Sequence, residues 1–326
     1  MRVLITGGAG FIGSHLAERA LRDGWRVTVL DNLSTGRREN LASLGVDFVE
    51  GDICDETLVR PLVAQCDLVC HLAAAVGVPV ILGDVLGALR SNVRGTEVVL
   101  EAAAARGARV CVASSSEVYG RSDRLPFRED DPSLLGPTRV PRWSYAAAKI
   151  VDEHLALAYH AQRGLPASIV RYFNAYGPRA NLTGYASVVA VMMAQALHGE
   201  PITVYGDGSQ TRCFTYVADM AEGTWRAATL DAANGGVFNL GRSVETRIID
   251  LAHLIQRETG STSPIVCVPY EQTFGADFQD VPRRLPDVSR AGDVLGFEAA
   301  VSLEQGLRLT MAWHRDNAAV GPVSAA

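Results

Sequence analysis

The sequence predicts an α/β fold, a doubly wound parallel sheet followed by a smaller mixed lobe. Three observations carry that prediction. Short apolar runs alternate with helical stretches through the first half of the chain. A glycine-rich turn, "TGGAGFIG" (6–13), joins the first run to the first helix. The regular alternation then stops near residue 175.

The strand candidates are plain in the pattern. Residues 2–6 (RVLIT), 26–31 (RVTVLD), 46–52 (VDFVEGD), 67–73 (DLVCHLA), 108–115 (ARVCVASS) and 167–174 (ASIVRYFN) are short and rich in Val, Ile and Leu. Between them, 11–24 (FIGSHLAERALRDG) and 92–107 (NVRGTEVVLEAAAARG) have helical spacing and end on Gly, a usual helix stop. Strand alternating with helix is the signature of a Rossmann-type sheet. Segments 188–198, 218–230 and 246–259 also have helical character, with Gly- and Pro-containing loops between them. The expected organisation is a cofactor domain over 1–175, a substrate lobe over 176–316 and a frayed tail over 317–326. Segments near 213–242 are expected to pack back on the first domain.

Composition narrows the function. The chain has 326 residues, 48% hydrophobic, with a net charge of −6, so no basic field is available for nucleic acid or an anionic membrane. No apolar run approaches the roughly eighteen residues of a membrane span. The N-terminus begins at once with a strand pattern and lacks a signal-peptide layout. The cysteines at 54, 66, 70, 111, 213 and 267 form no CxxC pair and no zinc-finger spacing. A reducing cytoplasm, with no metal site, is the expectation.

The glycines of the turn, Gly7, Gly10 and Gly13, let the backbone approach a pyrophosphate at a helix N-terminus. Asp31 ends the second strand, where an acid accepts from a ribose 2′-hydroxyl and repels a 2′-phosphate; this favours NAD over NADP. Asp52 follows the third strand, placed for the adenine edge. The small residues of "HLAAAV" (71–76) would let a dinucleotide lie close to the fourth. The expected cofactor contacts are Gly7, Gly10, Phe11, Ile12, Gly13, Asp31, Asn32, Asp52, Ile53, Leu72, Ala73, Ala74, Asn92, Ser114, Tyr145, Lys149 and Tyr172.

One compositional fact is sharper. The chain contains 29 arginines and a single lysine, Lys149. That lysine stands four residues after Tyr145 in "SYAAAK", on the same face of a helix expected over 144–162. A nearby ammonium stabilises a phenolate, drawing the Tyr toward service as a base at working pH. The hydroxyl of Ser115, at the mouth of the fifth strand in "SSSEVYG" (114–120), can bond the same substrate oxygen. Glu117 in that stretch places a carboxylate there as well.

Together these segments resemble the extended short-chain dehydrogenase/reductases, specifically the NAD-dependent nucleotide-sugar epimerases and dehydratases. The likeness rests on TGGAGFIGSHL, DNLSTGRREN, HLAA, SNVRGT, SSSEVYG, YAAAK, RYFNAYGPR and VYGDGSQTRCFTYV, and it covers nearly the whole chain. The resemblance implies that Ser115, Tyr145 and Lys149 form the catalytic triad. It implies that Asn174 and Arg212 hold the sugar nucleotide, Arg212 on the diphosphate. In "RRLPDVSRA", Arg284 would also reach the phosphates, and Ser116 would contact the substrate. It further implies a homodimer built on helices near 93–105 and 145–162.

Shared family chemistry is oxidation at C4 of the sugar, after which fates divide. A 4,6-dehydratase carries Asp–Glu at the strand end, whereas this chain has Ser116–Glu117. UDP-glucuronate decarboxylases share the hydroxyl–Ser–Glu pattern but place an Arg in a "DGR" segment after "GPR". Here that stretch reads "GPRANLTGYASVV", with no such Arg, and resembles the loop of UDP-hexose 4-epimerases. The expected activity is therefore 4-epimerisation of a UDP-hexose or UDP-hexuronic acid, with NAD tightly bound and Glu117 merely satisfying backbone or ribose donors. The alternative is a lyase, a UDP-glucuronate decarboxylase or a dehydratase using Glu117. A non-catalytic sensor on this fold is disfavoured by the intact Tyr145 and Lys149. The loop over 180–190 is expected to set sugar choice.

Overall fold

The computed structural model describes residues 1–180, 187–274 and 281–317. Its strands are β1 (Arg2–Thr6), β2 (Arg26–Asp31), β3 (Asp47–Glu50), β4 (Leu68–His71), β5 (Arg109–Ser115), β6 (Ala167–Tyr172), β7 (Ala175–Tyr176), β8 (Ile202–Tyr205), β9 (Thr211–Cys213), β10 (Thr215–Tyr216), β11 (Val237–Leu240), β12 (Glu245–Arg247) and β13 (Ile265–Val268). The helices are α1 (Phe11–Arg22), α2 (Glu56–Ala64), α3 (Val78–Gly83), α4 (Val85–Arg106), α5 (Ser144–Arg163), α6 (Val188–His198), α7 (Val217–Thr229), α8 (Ile248–Thr259), α9 (Tyr270–Phe274), α10 (Ser289–Leu295) and α11 (Leu303–Asp316).

Seven strands form one sheet in the order β11-β6-β5-β4-β1-β2-β3, with every pairing parallel. A parallel sheet is covered on both faces, so its strands must be apolar throughout. Leu68–His71 are buried without exception. On one face Leu16, Ala17, Met220, Trp225 and Leu295 bring α1, α7 and α10 against the strands. On the other, Val59, Val63, Val98, Val99, Ala103 and Ala156 bring α2, α4 and α5. A separate core of Met192, Met193, Leu251, Ile255 and Leu307 joins α6, α8 and α11.

Three local features differ from or sharpen the sequence reading. Helix α4 starts at Val85, a full two turns before residue 92, because the Asp84 carboxylate caps it by accepting from Gly87 N at 2.8 Å. Gly87 in that first turn obscures the helical pattern in the sequence. Strand β6 ends at Tyr172, after which Asn174 takes a left-handed backbone with φ of 39°. Strand β11 arrives from residues 237–240 and pairs with β6, so the chain leaves the sheet after β6 and later rejoins it. Among the described residues no helix is long and apolar enough to cross a membrane.

Candidate active site

Strand order reverses between β1 and β4, and a crevice at the carboxyl ends of such strands is where this architecture takes ligands. A cleft of about 450 Å³ lies there. Its walls come from the ends of β1, β2, β4 and β5, the start of α5, and Phe214 and Arg284 from the later part of the chain.

The glycines of the turn let it pack backbone to backbone against the end of β4 and the start of α1. Gly7 has φ of 70°, and a Cβ there would lie 2.7 Å from Ala73 N. A Cβ on Gly13 would lie 2.2 Å from Gly7 O, so α1 could not close on the turn. Gly10, Phe11, Ile12 and Gly13 line the cleft at the N-terminus of α1, where amide groups face an anion. Asp31 is buried, and burial pushes its carboxyl up, opposed by bonds from Leu33 N at 2.8 Å and Ala9 N at 3.0 Å. Two bonds leave acceptor capacity on an ionised carboxylate that lines the same wall. A Cβ at Gly36 would come 2.8 Å from Asp31 Oδ1, so this approach too is kept clear by glycine. These walls fit a dinucleotide.

Ser114 and Ser115 fix the turn at the end of β5. Ser114 is buried and donates to Glu153 Oε1 at 2.5 Å, tying the end of β5 to α5. Ser115 Oγ accepts from Glu117 N at 3.2 Å, capping the short 3₁₀ turn Ser116–Tyr119. Ser115, Ser116 and Glu117 all line the cleft. Tyr145 and Lys149 line it from the first turns of α5. Lys149 is buried, and its Nζ donates to Asp152 Oδ2 at 3.0 Å. His71 behind them bonds Thr6 Oγ1 at 2.8 Å and Thr96 Oγ1 at 3.1 Å. Burial, with the Lys149 charge acting the same way, holds its pKa down to about 3, so the ring is neutral.

Glu117 does not serve the bland role expected of it. Its Oε1 accepts from Arg284 Nη1 at 2.6 Å and its Oε2 from Arg142 Nη1 at 3.0 Å. Burial opposes ionisation of this carboxyl, but the two guanidiniums outweigh it and hold the pKa down to about 2. Arg142 comes from the 3₁₀ turn Pro141–Trp143, immediately before α5. Arg284 is delivered by backbone pairing: Phe127 N donates to Leu285 O at 2.7 Å and Asp287 N to Phe127 O at 2.8 Å.

Of the other candidates, Asn32, Ile53, Leu72, Ala73, Ala74, Ser114, Tyr172 and Asn174 line the cleft. Asp52, Asn92 and Arg212 are not among its lining residues. Asp52 Oδ1 accepts from Cys54 N at 2.8 Å, and Oδ2 takes a longer bond from Asn32 Nδ2 at 3.4 Å. Asn92 clamps the Ala75 backbone, accepting from its N at 2.7 Å and donating to its O at 3.1 Å, so it holds the wall rather than forming it. Arg212 Nη1 donates to Thr211 O at 2.8 Å, on the edge strand β9. Sequence reasoning passed over Arg142 and Asp152. The signals were present: an arginine three residues before Tyr145, and an acid three residues after the only lysine. The loop expected to choose the sugar falls largely on 181–186, and the expected tail largely on 318–326; both lie outside the described residues.

Comparison with known proteins shows the family and corrects one expectation. Residues 3–241 match the NAD dependent epimerase/dehydratase family. A UDP-N-acetyl-alpha-D-glucosaminuronate decarboxylase of Bacillus cytotoxicus is 44% identical over 317 residues, covering 97% of this chain and 98% of that protein. UDP-glucuronic acid decarboxylase 1 of Xenopus tropicalis is 38% identical, covering 96% of this chain and 72% of that protein. The crystal structure of a Thermotoga maritima UDP-glucose 4-epimerase with UDP-glucose superimposes with a TM-score of 0.90 at 31% identity, covering 98% of this chain and all of that one. The epimerase shares the fold, but relatives at higher identity are decarboxylases, and this overturns the expectation of 4-epimerisation. That expectation rested on a missing arginine after "GPR"; the structure brings two guanidiniums, Arg142 and Arg284, to Glu117 from elsewhere in the chain. On the family match and on these relatives, the chain belongs to the NAD dependent epimerase/dehydratase family of nucleotide-sugar enzymes.

Proposed function

We propose that the protein decarboxylates a UDP-linked hexuronic acid, with UDP-N-acetylglucosaminuronate and UDP-glucuronate as the sugars to test. The observation that carries this is the Glu117 carboxylate bridged by Arg284 and Arg142 in the wall that also holds Ser115 and Tyr145. Guanidiniums bind carboxylates through a planar fork of donors, and such a pair suits a sugar acid better than a neutral hexose.

In this reading Tyr145 takes the proton of the sugar 4-hydroxyl, helped by the Lys149 ammonium. NAD would be held by the glycine turn and Asp31 and would supply reversible hydride acceptance at C4. The resulting C4 ketone stands β to the C6 carboxylate, so the C5–C6 bond can break with release of carbon dioxide. The bonding electrons pass to the C4 oxygen as an enolate, where the Ser115 and Tyr145 hydroxyls donate hydrogen bonds to the developing charge. C5 then takes a proton from water, and Tyr145 returns its proton to the C4 oxygen as the ketone goes back to an alcohol. Glu117 is ionised well below neutral pH and has no proton to give. Its work is to orient Arg284 and Arg142 toward a second carboxylate. We also infer a homodimer through α4 and α5; Val151, 41% exposed on α5, supports it.

The test is mass-resolved chromatography of UDP-N-acetylglucosaminuronate and of UDP-glucuronate after incubation with the purified protein, without added NAD. A product lighter by carbon dioxide is expected, and the faster substrate names the sugar. A product of unchanged mass, or one lighter by water, would overturn the reading.

A further inference from the structure

Lys149 and Asp152 form an ion pair that is almost wholly sealed from solvent, at 3% and 0% exposure. Asp152 Oδ2 takes the Nζ proton at 3.0 Å, while Oδ1 is buried with no hydrogen-bond partner among the described residues. An acceptor left bare in the interior costs stability, so a carboxylate kept in that state calls for a reason beyond packing.

The titratable groups on the neighbouring elements are neutral or ion-paired, apart from Tyr172, whose hydroxyl couples to Tyr145. On β4, His71 is neutral, and Cys70 is buried with its thiol pushed well above the ordinary value. On β5, burial pushes Cys111 up to about 12, and on β6 it pushes the Tyr172 hydroxyl well up. On α5, Glu153 is matched by Arg171 from β6, at 2.6 Å. The α4 group facing His71 is the uncharged Thr96. In the opposite wall Glu117 pairs with both Arg284 and Arg142, which leaves one positive charge in excess there, common to the parent and the Asp152 variants.

From this geometry we infer that Asp152 is a positioning residue that moderates the only lysine of the chain, fixing the ammonium and limiting how strongly it acidifies Tyr145. The inference rests on the reading of Tyr145 as the base and not on which bond the enzyme breaks. Asp152 stands seven residues after Tyr145, two turns along one face of α5, which places the side chains about 10 Å apart. A unit charge at that distance and an effective dielectric near 20 displaces a titration by roughly one pH unit.

The experiment titrates the purified, cofactor-bearing protein by ultraviolet absorbance of phenolate, as the difference between each variant and its Tyr145→Phe counterpart. Asp152→Asn keeps an oxygen for Lys149 and removes the charge; Asp152→Ser stands in if that variant does not fold. Either should move the Tyr145 titration down by roughly one unit, and the acid limb of turnover by the same amount. Asp152→Glu, which keeps the charge, should stay close to the parent. No displacement, an upward displacement, or an equal displacement in Asp152→Glu would overturn the inference. Absence of any Tyr145 step in the parent would overturn both the inference and the assignment of the base. The titration uses no sugar nucleotide, so its result does not depend on whether carbon dioxide is released.

Discussion

Arg284 Nη1 lies 2.6 Å from Glu117 Oε1, although 167 positions separate the two residues in the chain. The contact joins the end of β5 to the segment after Val281 and makes one wall of the cleft. Under the proposed chemistry Arg284→Gln should lower kcat/KM for a UDP-hexuronate by about 10²–10³-fold, the size of effect seen when one charge-stabilising donor is lost. Steady-state release of carbon dioxide measures it. A variant within threefold of the parent would remove Arg284 from the site.

Tyr145→Phe should reduce turnover by about 10²–10⁴-fold while leaving nucleotide-sugar affinity near the parent value. Calorimetric binding beside the turnover assay separates the two. Persistent turnover would mean that another group serves as the base.

The acid limb of stability follows from Glu117. Its folded pKa is depressed, from an ordinary value of 4.5 to about 2, by Arg284 and Arg142 against the opposing cost of burial. A depressed carboxyl contributes stability above its unfolded pKa and loses that contribution as pH falls through the folded value. The Tm of the parent should therefore exceed that of Glu117→Gln most clearly above pH 4.5, and the gap should close as pH falls toward 2. Scanning calorimetry across that window reads it; a gap that widens on acidification would contradict the pairing.

Gly13→Ala should abolish retention of NAD, because the added methyl would meet Gly7 O at 2.2 Å and push α1 away from the turn. NAD released on heat denaturation of the purified protein, per mole of chain, is the measure. Stoichiometric release from the variant would refute the geometry.

Glu153→Ala removes one partner of a buried ion pair in which Arg171 donates at 2.9 and 2.6 Å and Ser114 adds a third bond. Breaking such a pair leaves an unmatched buried charge and should cost about 3–5 kcal/mol in chemical denaturation. A loss under about 1 kcal/mol would mean that solvent reaches Arg171.

The sheet was legible because parallel strands buried on both faces must be apolar runs, and β1, β2 and β5 follow the sequence pattern closely. The glycine turn, Asp31, Tyr145 and Lys149 were legible because their partners lie close by in the chain or in fixed register. The partner of Glu117 was not. Arg284 reaches it through the pairing of Phe127 with Leu285 and Asp287, a contact with no local signature. Looking for the arginine beside "GPR" therefore led toward the wrong reaction. The grip of Asn92 on the Ala75 backbone has no local signature either, since 17 positions separate the two residues.

The return of the chain to the sheet as β11 has a consequence for how the protein is made. Strand β6 is complete once residue 172 has been synthesised, but its second neighbour does not exist until residues 237–240 have emerged. For those sixty-odd residues of translation the nascent sheet presents an open parallel edge, the kind of surface that recruits foreign strands. Until then the sheet ends at β6, which is buried along almost its whole length in the finished protein; afterwards the edge is β11. A ribosome-bound chain stalled before Val237 should bind strand-binding chaperones more strongly than one stalled well beyond Leu240.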